Sequence, residues 1–308
     1  MSVVLKTYNL CKRYKNQWAL NGVNMTINSG DIYGFVGENG SGKTTVIRSI
    51  AGLISSTKGH FELFGEDSRG SGILSARKKI GAIVESPSVY LNMSATDNLK
   101  MQCGLLGIKD NLEETIKKTL SEVGLVELYD SKKHAGDFSL GMRQRLGIAM
   151  SLLGSPEFLI LDEPMNGLDP AGIVEIRELI IKLNKERGIT FLISSHILTE
   201  LALVATTYGI ISKGRIIREI SAEDLKNTKF SFVLLEVNDR RELYNVLSQT
   251  EFANNIQVVD NGIKVFTDKV TPLLRAVLDG GIVLQGVKSH TFDIEEYYMS
   301  LIGGGNRA

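Results

Sequence analysis

Gly37-Glu-Asn-Gly-Ser-Gly42-Lys43-Thr44 is the stretch that decides how this chain is read. It fits the pattern G-x4-G-K-[ST], in which a strand runs into a glycine-rich loop and then into a helix. The flanks supply that context. Asp31-Ile-Tyr-Gly-Phe-Val36 reads as a buried strand, and Thr44 to Ile54 reads as a helix. Gly37, Gly40 and Gly42 let successive backbone N–H groups turn toward one point and leave room for phosphate oxygens. Asn39 and Ser41 belong to the same loop. The helix start adds a potential that favours anions. Lys43 supplies a point charge for β- and γ-phosphates. The Thr44 hydroxyl suits Mg2+, and Thr45 is in reach of an α-phosphate. The ligand implied is a nucleoside triphosphate with its divalent cation.

Working outward, Phe158-Leu-Ile-Leu-Asp162-Glu163 is an apolar strand ending in two acids. Taken alone, an Asp-Glu pair is usually a solvated turn. Four apolar residues ahead of it, in a chain that already carries the glycine loop, reverse that judgement. Buried parallel strands deliver residues at their C-terminal ends into a common crevice. Asp162 can hold Mg2+ through its shell, and Glu163 can polarise a water that attacks the terminal phosphate.

The rest of the chain gives these motifs a frame. It has 308 residues, 43% of them hydrophobic and 23% charged, which suits one large or two moderate globular domains. Lys plus Arg and Asp plus Glu are 35 each, so nothing in the net charge draws the chain to nucleic acid. Cys11 and Cys103 are isolated thiols without metal spacing, as fits a reducing compartment. The N-terminus lacks the basic start and apolar run of a signal peptide. No apolar run reaches the ~20 residues needed to span a bilayer. Any membrane function would be borrowed from another chain.

Strands and helices alternate to about Ala222, with strands at Ile80 to Val84, Phe158 to Leu161 and Ile189 to Ser194 and a helix at Ile173 to Lys185. This predicts an α/β domain over 1–220 built on a largely parallel sheet. Alternation around Val23, Met25 and Ile27 predicts an antiparallel β addition before Gly30. A helical insertion is expected at about 92–153, with Leu99, Leu105, Leu106, Ile116, Leu120 and Val123 as an apolar stripe. Residues 221–302 read as a small α+β domain. Its strands are expected at Phe230 to Val237, Ile256 to Val259, Ile263 to Phe266 and Ile282 to Val287. Its helices are expected at Arg240 to Leu247, Leu273 to Leu278 and Ile294 to Leu301. Asp260-Asn-Gly262 is a hairpin-turn signal. Residues 303–308 read as a disordered tail.

With these motifs in this order, about residues 3 to 220 resemble the nucleotide-binding domain of the ABC ATPase superfamily, a P-loop NTPase fold. Phe138-Ser139-Leu140-Gly141-Met142-Arg143-Gln144-Arg145 resembles its signature LSGGQ-x-QR. The resemblance implies that Ser139 and Gly141 cap the γ-phosphate held by an opposite subunit. Asn166-Gly167-Leu168-Asp169 resembles the D-loop along the dimer seam, and His196 resembles the switch histidine that holds the γ-phosphate and the catalytic water. Tyr14 resembles the aromatic that stacks on adenine, with Trp18 a competing candidate.

Three departures from the family pattern bear on the site. Leu140 stands for the first signature glycine and Met142 for its glutamine. Glu85, in Ile80-Gly-Ala-Ile-Val84-Glu85-Ser86-Pro87, stands where the Q-loop glutamine couples Mg2+ and the attacking water to the membrane partner. A carboxylate keeps an oxygen ligand but adds charge and loses two N–H donors. Together with the C-terminal appendage, these features resemble the bacitracin-resistance and lantibiotic-immunity branch of ABC exporters. The resemblance implies ATP hydrolysis by two copies, or a pseudo-dimer, sandwiching ATP and Mg2+. It also implies a separate transmembrane permease and a peripheral place on the cytoplasmic face of the membrane. The competing readings are a DNA- or ribosome-associated ABC ATPase and an ATP-dependent regulatory module.

Overall fold

The computed structural model describes residues 2–227, 232–267, 269–290, 297–299 and 301. The chain divides into two compact units, Met1–Ala222 and Glu223–Ala308.

The first unit opens with β1 (Val3–Tyr14), β2 (Gln17–Val23) and β3 (Thr26–Asn28), followed by β4 (Ile32–Val36) and helix α1 (Lys43–Ile50). Next come β5 (Lys58–Leu63), β6 (Glu66–Asp67), α2 (Ile73–Arg77) and β7 (Ile80–Ile83). Between β7 and β8 the regular elements are all helical: α3 (Ala95–Leu106), α4 (Leu112–Glu122) and α5 (Leu140–Leu152), with two short 3-10 turns. The unit ends with β8 (Phe158–Asp162), α6 (Pro170–Arg187), β9 (Thr190–Ser195), α7 (Leu198–Ala202), β10 (Thr207–Ser212) and β11 (Arg215–Ser221). Helix α8 (Ala222–Asn227) starts at the boundary between the units.

Two sheets make this unit. The six-stranded sheet runs β11-β10-β4-β9-β8-β7 and is parallel except for the β10–β11 pair. Every residue of β4, β8 and β9 is buried, the signature of interior parallel strands covered on both faces. The second sheet is antiparallel, in the order β2-β1-β5-β6, with β3 also on β1. Leu5, Leu10, Leu20 and Phe61 from it share one core with Phe35, Phe158 and the α1 residues Val46, Ile47 and Ile50. Helix α1 is thereby anchored along its apolar face while its first turn stays at the strand ends.

The second unit comprises β12 (Phe232–Glu236), α9 (Arg240–Ser248), β13 (Ile256–Val259), β14 (Gly262–Phe266), α10 (Val270–Asp279) and β15 (Gly286–His290). Its sheet order, β13-β14-β12-β15, is antiparallel throughout, a split β-α-β-β-α-β of the ferredoxin-like kind. Val233, Leu235, Ile263 and Val265 of the sheet pack with Leu243, Leu247, Leu273 and Val277 of the two helices. The Asn-Gly step closes the β13–β14 hairpin, where Val259 pairs with Gly262.

Several elements differ from the expectations. Helix α1 stops at Ile50 rather than Ile54, because Ala51 caps it and Gly52 turns left-handed at φ 82°. Leu105 and Leu106 are exposed; Leu99 and Cys103 fill the buried side of α3 instead. The strand expected from Ile282 begins only at Gly286, because Ile282 is buried in the core as a loop residue. Strands β5, β6, β10 and β11 were not anticipated. Parts of the expected final helix, and the tail at 303–308, lie outside the described residues.

Candidate functional site

The register of the parallel sheet brings three strand ends together. Val36 pairs with Ser195, and Asp162 with Ser194, so β4, β9 and β8 finish side by side. The glycine loop leaves β4, Glu163 follows β8, and His196 follows β9. A pocket opens there, lined by Ala19, Glu38, Asn39, Gly40, Gly42, Lys43, Thr44, Thr45, Glu163, Asn166 and His196.

The loop is fixed by sterics and by its neighbours. Gly42 is the N-cap of α1 at φ 114°, where side chains are strained. A Cβ on Gly37 would collide with the Ile211 carbonyl oxygen and the Ser41 side chain. Ser41 is buried, its N–H donates to the Glu38 carbonyl at 3.1 Å, and its carbonyl accepts from Gly214 N–H at 2.8 Å. Its hydroxyl has no hydrogen-bond partner among the described residues. Gly37 and Ser41 therefore shape the loop from behind, while Asn39, Gly40 and Gly42 face the pocket.

The charged groups form one cluster. Lys43, only 5% exposed, donates to the Gly37 carbonyl at 2.6 Å and lies 3.5 Å from Glu163 Oε1. The other Glu163 oxygen is 2.7 Å from His196 Nδ1. Glu163 has φ 52°, a left-handed conformation that a non-glycine residue adopts only when its surroundings enforce it. Here the enforcement is visible: Glu163 N–H donates to both the carbonyl and the hydroxyl of Ser194, at 3.1 and 3.0 Å. The buried Asp162 carboxylate accepts from Thr44 Oγ1 at 2.9 Å and from Ser194 Oγ. One hydroxyl, that of Ser194, thus braces both members of the acid pair.

The signature residues sit elsewhere. Ser139 is the N-cap of α5 and accepts from Met142 N–H at 3.2 Å. Ser139 and Gly141 line a second concavity with Leu140, Met142, Gly167 and Asp169. The Asp169 side chain caps α6 through Gly172 N–H at 3.1 Å, with Pro170 at the first helical position. It stands in this second concavity, not at the P-loop.

Residues of two expected contacts stand outside this pocket. Glu85 does not line the pocket; its carboxylate is 62% exposed and pairs with Arg48 Nη2 at 2.7 Å. As placed, it is the counter-ion of a cation on α1. Tyr14 and Trp18 do not line the pocket either. They are exposed on the β1–β2 hairpin under Lys12 and Arg13, and Ala19 is the hairpin residue that reaches the site. Ala19, Ser194 and Gly214 are site residues that motif reading missed. None carries a local signal, since each arrives through strand register or a turn.

The ABC transporter family profile matches residues 20–166. The chain is 40% identical over 310 residues to the bacitracin transport ATP-binding protein BcrA of Bacillus licheniformis, covering 99% of each. It is 44% identical over 229 residues to the lantibiotic transport ATP-binding protein SrtF of Streptococcus pyogenes, covering 74% of this chain and 96% of that relative. Among solved structures it is similar to the dimeric MJ0796, a bacterial ABC transporter cassette. That match has a TM-score of 0.62 at 25% identity, over 71% of this chain and 98% of the other.

Proposed function

This chain belongs to the ABC transporter family, and from that premise we propose that it powers a separate transmembrane permease that exports an antimicrobial peptide, an antibiotic or a similar amphiphile. It is an ATP-binding subunit and an ATPase, converting ATP and water to ADP and phosphate. The exporter reading is supported by the names of the relatives, which are bacitracin and lantibiotic transport proteins. No helix among the described residues is long and apolar enough to cross a membrane, so the translocation path falls to another chain. The exposed apolar residues Tyr90 and Leu91, just ahead of the helical insertion, and Met101 and Leu105 on it suit a covering partner at the cytoplasmic face.

The observation that carries the catalytic reading is the contact of Glu163 with both Lys43 and His196 in the glycine-loop pocket. Lys43 exchanges loop carbonyls for phosphate oxygens when ATP enters. Glu163 takes the proton of the attacking water, and His196 holds the Glu163 carboxylate in the orientation required. The Thr44 hydroxyl and the Asp162 carboxylate, in contact at 2.9 Å, are hard oxygen donors that fit Mg2+. The ion would offset phosphate charge there.

Ser139 and Gly141 face a concavity apart from the loop that holds their own chain's phosphates, which suits action on a second copy's ATP. The similarity to a dimeric cassette supports pairing of two copies. Asp169, engaged as a helix cap, sets the backbone of that seam. Purification of the tagged chain from gently solubilised membranes is expected to bring a multi-span permease with it, and that complex raises tolerance to peptide antibiotics in cells. Lys43→Met keeps the complex and abolishes the tolerance. Recovery of ribosomes or DNA in place of a permease would overturn the exporter reading.

A further inference from the structure

The P-loop helix carries two cations, and each faces a glutamate at the end of a neighbouring strand. Ile83 of β7 pairs with Leu161 of β8, so Glu85 and Glu163, two residues further on, stand at the same level. Both are left-handed, at φ 63° and φ 52°. Lys43, at the first residue of α1, takes Glu163; Arg48, in its last turn, takes Glu85. Thr44 and Arg48 are four residues apart and share one helix face. Thr44 is bonded to Asp162, so α1 touches β8 near its start and the β7 loop near its end.

The β7 loop continues this connection. Ser86 N–H donates to the Val84 carbonyl at 2.8 Å, which keeps the turn tight. Pro87 lies against Gly147 of α5, so closely that a Cβ at Gly147 would come within 2.6 Å of Pro87 Cβ. Helix α5 begins at the signature Ser139. Residues 85–87 therefore span from the P-loop helix to the signature helix of the same chain.

We propose that Arg48 is the positioning residue for Glu85, and that the pair is a strut fixing residues 84–88 between α1 and α5. Glu85 works as the counter-ion of the P-loop helix rather than as a ligand of the nucleotide's cation. Glutamate at this position gives the loop a charge partner on α1 that glutamine lacks. The pair rests on the ATPase reading for its effect on turnover, but its geometry is testable without turnover.

The experiment uses the purified full chain. In steady-state ATP hydrolysis, Arg48→Met and Glu85→Gln each lower kcat by about 3–10-fold with KM changed less than ~2-fold, as expected when an orienting contact away from the substrate is lost. The double variant is no worse than either single, because both remove one interaction. The exchanged pair Arg48→Glu/Glu85→Arg recovers most of the rate. The Mg2+ concentration for half-maximal activity stays unchanged in Glu85→Gln. Amide exchange of residues 84–88 rises in both single variants and falls again in the exchanged pair. A raised Mg2+ requirement in Glu85→Gln alone, multiplying effects of the two variants, or unaltered exchange would each overturn the strut. Absence of hydrolysis in the wild-type chain would instead strike the ATPase reading, and the exchange measurement would still judge the strut.

Discussion

Strands β8 and β7 lie side by side, and each feeds a glutamate whose backbone is left-handed. The two glutamates differ in what surrounds them. Glu163 is 19% exposed and shares its carboxylate between a buried lysine and a histidine, with its N–H held by Ser194. Glu85 is 62% exposed and meets a single arginine that is itself 37% exposed. Solvent screens the second pair far more than the first. The same strand-end geometry thus yields a charge cluster suited to chemistry in one place and a surface contact suited to positioning in the other. Burial of the cation, not the identity of the acid, sets the difference. A glutamate next to Lys43 is held where a phosphate would arrive; a glutamate next to Arg48 is held away from it.

The largest expected effect lies on the buried side. Glu163→Gln keeps the shape and the contact with His196 but removes the proposed proton acceptor. Hydrolysis is expected to fall by about 10²–10⁴-fold, the usual contribution of a positioned general base. ATP binding persists, and the chain forms an ATP-dependent dimer visible by size exclusion. Hydrolysis at the wild-type rate would remove the distinction between the two glutamates.

Ser194→Ala tests what makes the buried end special. The hydroxyl donates to Asp162 and accepts from Glu163 N–H, with no exposure to solvent. Its loss leaves Asp162 with one partner fewer in a buried place, at a cost of about 1–3 kcal/mol. A fall in turnover of about 10-fold or more is expected, with a raised Mg2+ requirement, because groups that orient a metal's ligands act on affinity. β7 carries no acid at the matching position for such a hydroxyl to hold: Val84 precedes Glu85 where Asp162 precedes Glu163. A Ser194→Ala chain with unchanged Mg2+ dependence would mean that Asp162 is held by Thr44 alone.

The contrast also marks what could be read from sequence. The glycine loop and the acid pair were legible because each is a short motif at the end of a buried strand; His196 was legible only through the family resemblance, and the parallel register carries all three strand ends to one place. Ser139 and Gly141 were legible through the signature resemblance, and the structure keeps them apart from the P-loop. Glu85 was legible as a departure from pattern but not as a contact, because its partner is 37 residues earlier on another element. The β10–β11 hairpin was missed because its turn is Lys213-Gly214 and not the Asn-Gly that betrayed the C-terminal hairpin. Yet Gly214 N–H braces Ser41 in the P-loop. Ala19 likewise reaches the pocket only because β2 folds back on β1, while the more conspicuous aromatics beside it stay on the surface.

The smallest expected effect is the most direct test of the exposed side. At Glu85 three terms of similar size compete. A left-handed L-residue costs about 1–2 kcal/mol, which glycine relieves. Glycine returns about 0.5–1 kcal/mol of that through its greater freedom in the unfolded chain. The exposed pair with Arg48 is worth about 0–1 kcal/mol. Glu85→Gly is therefore expected to leave the unfolding free energy from urea melts within about 1 kcal/mol of wild type. Glu85→Asn, which tolerates the same backbone, should behave alike. Glu85→Val keeps the strain, stiffens the side chain and loses the pair, so its midpoint should drop below both. A loss above about 2 kcal/mol in Glu85→Gly, with the denaturant slope unchanged, would show that the pair holds the fold itself. Comparable stability of the Gly and Val variants would show instead that the left-handed turn at Glu85 is not enforced in solution, and the likeness between the two strand ends would fail.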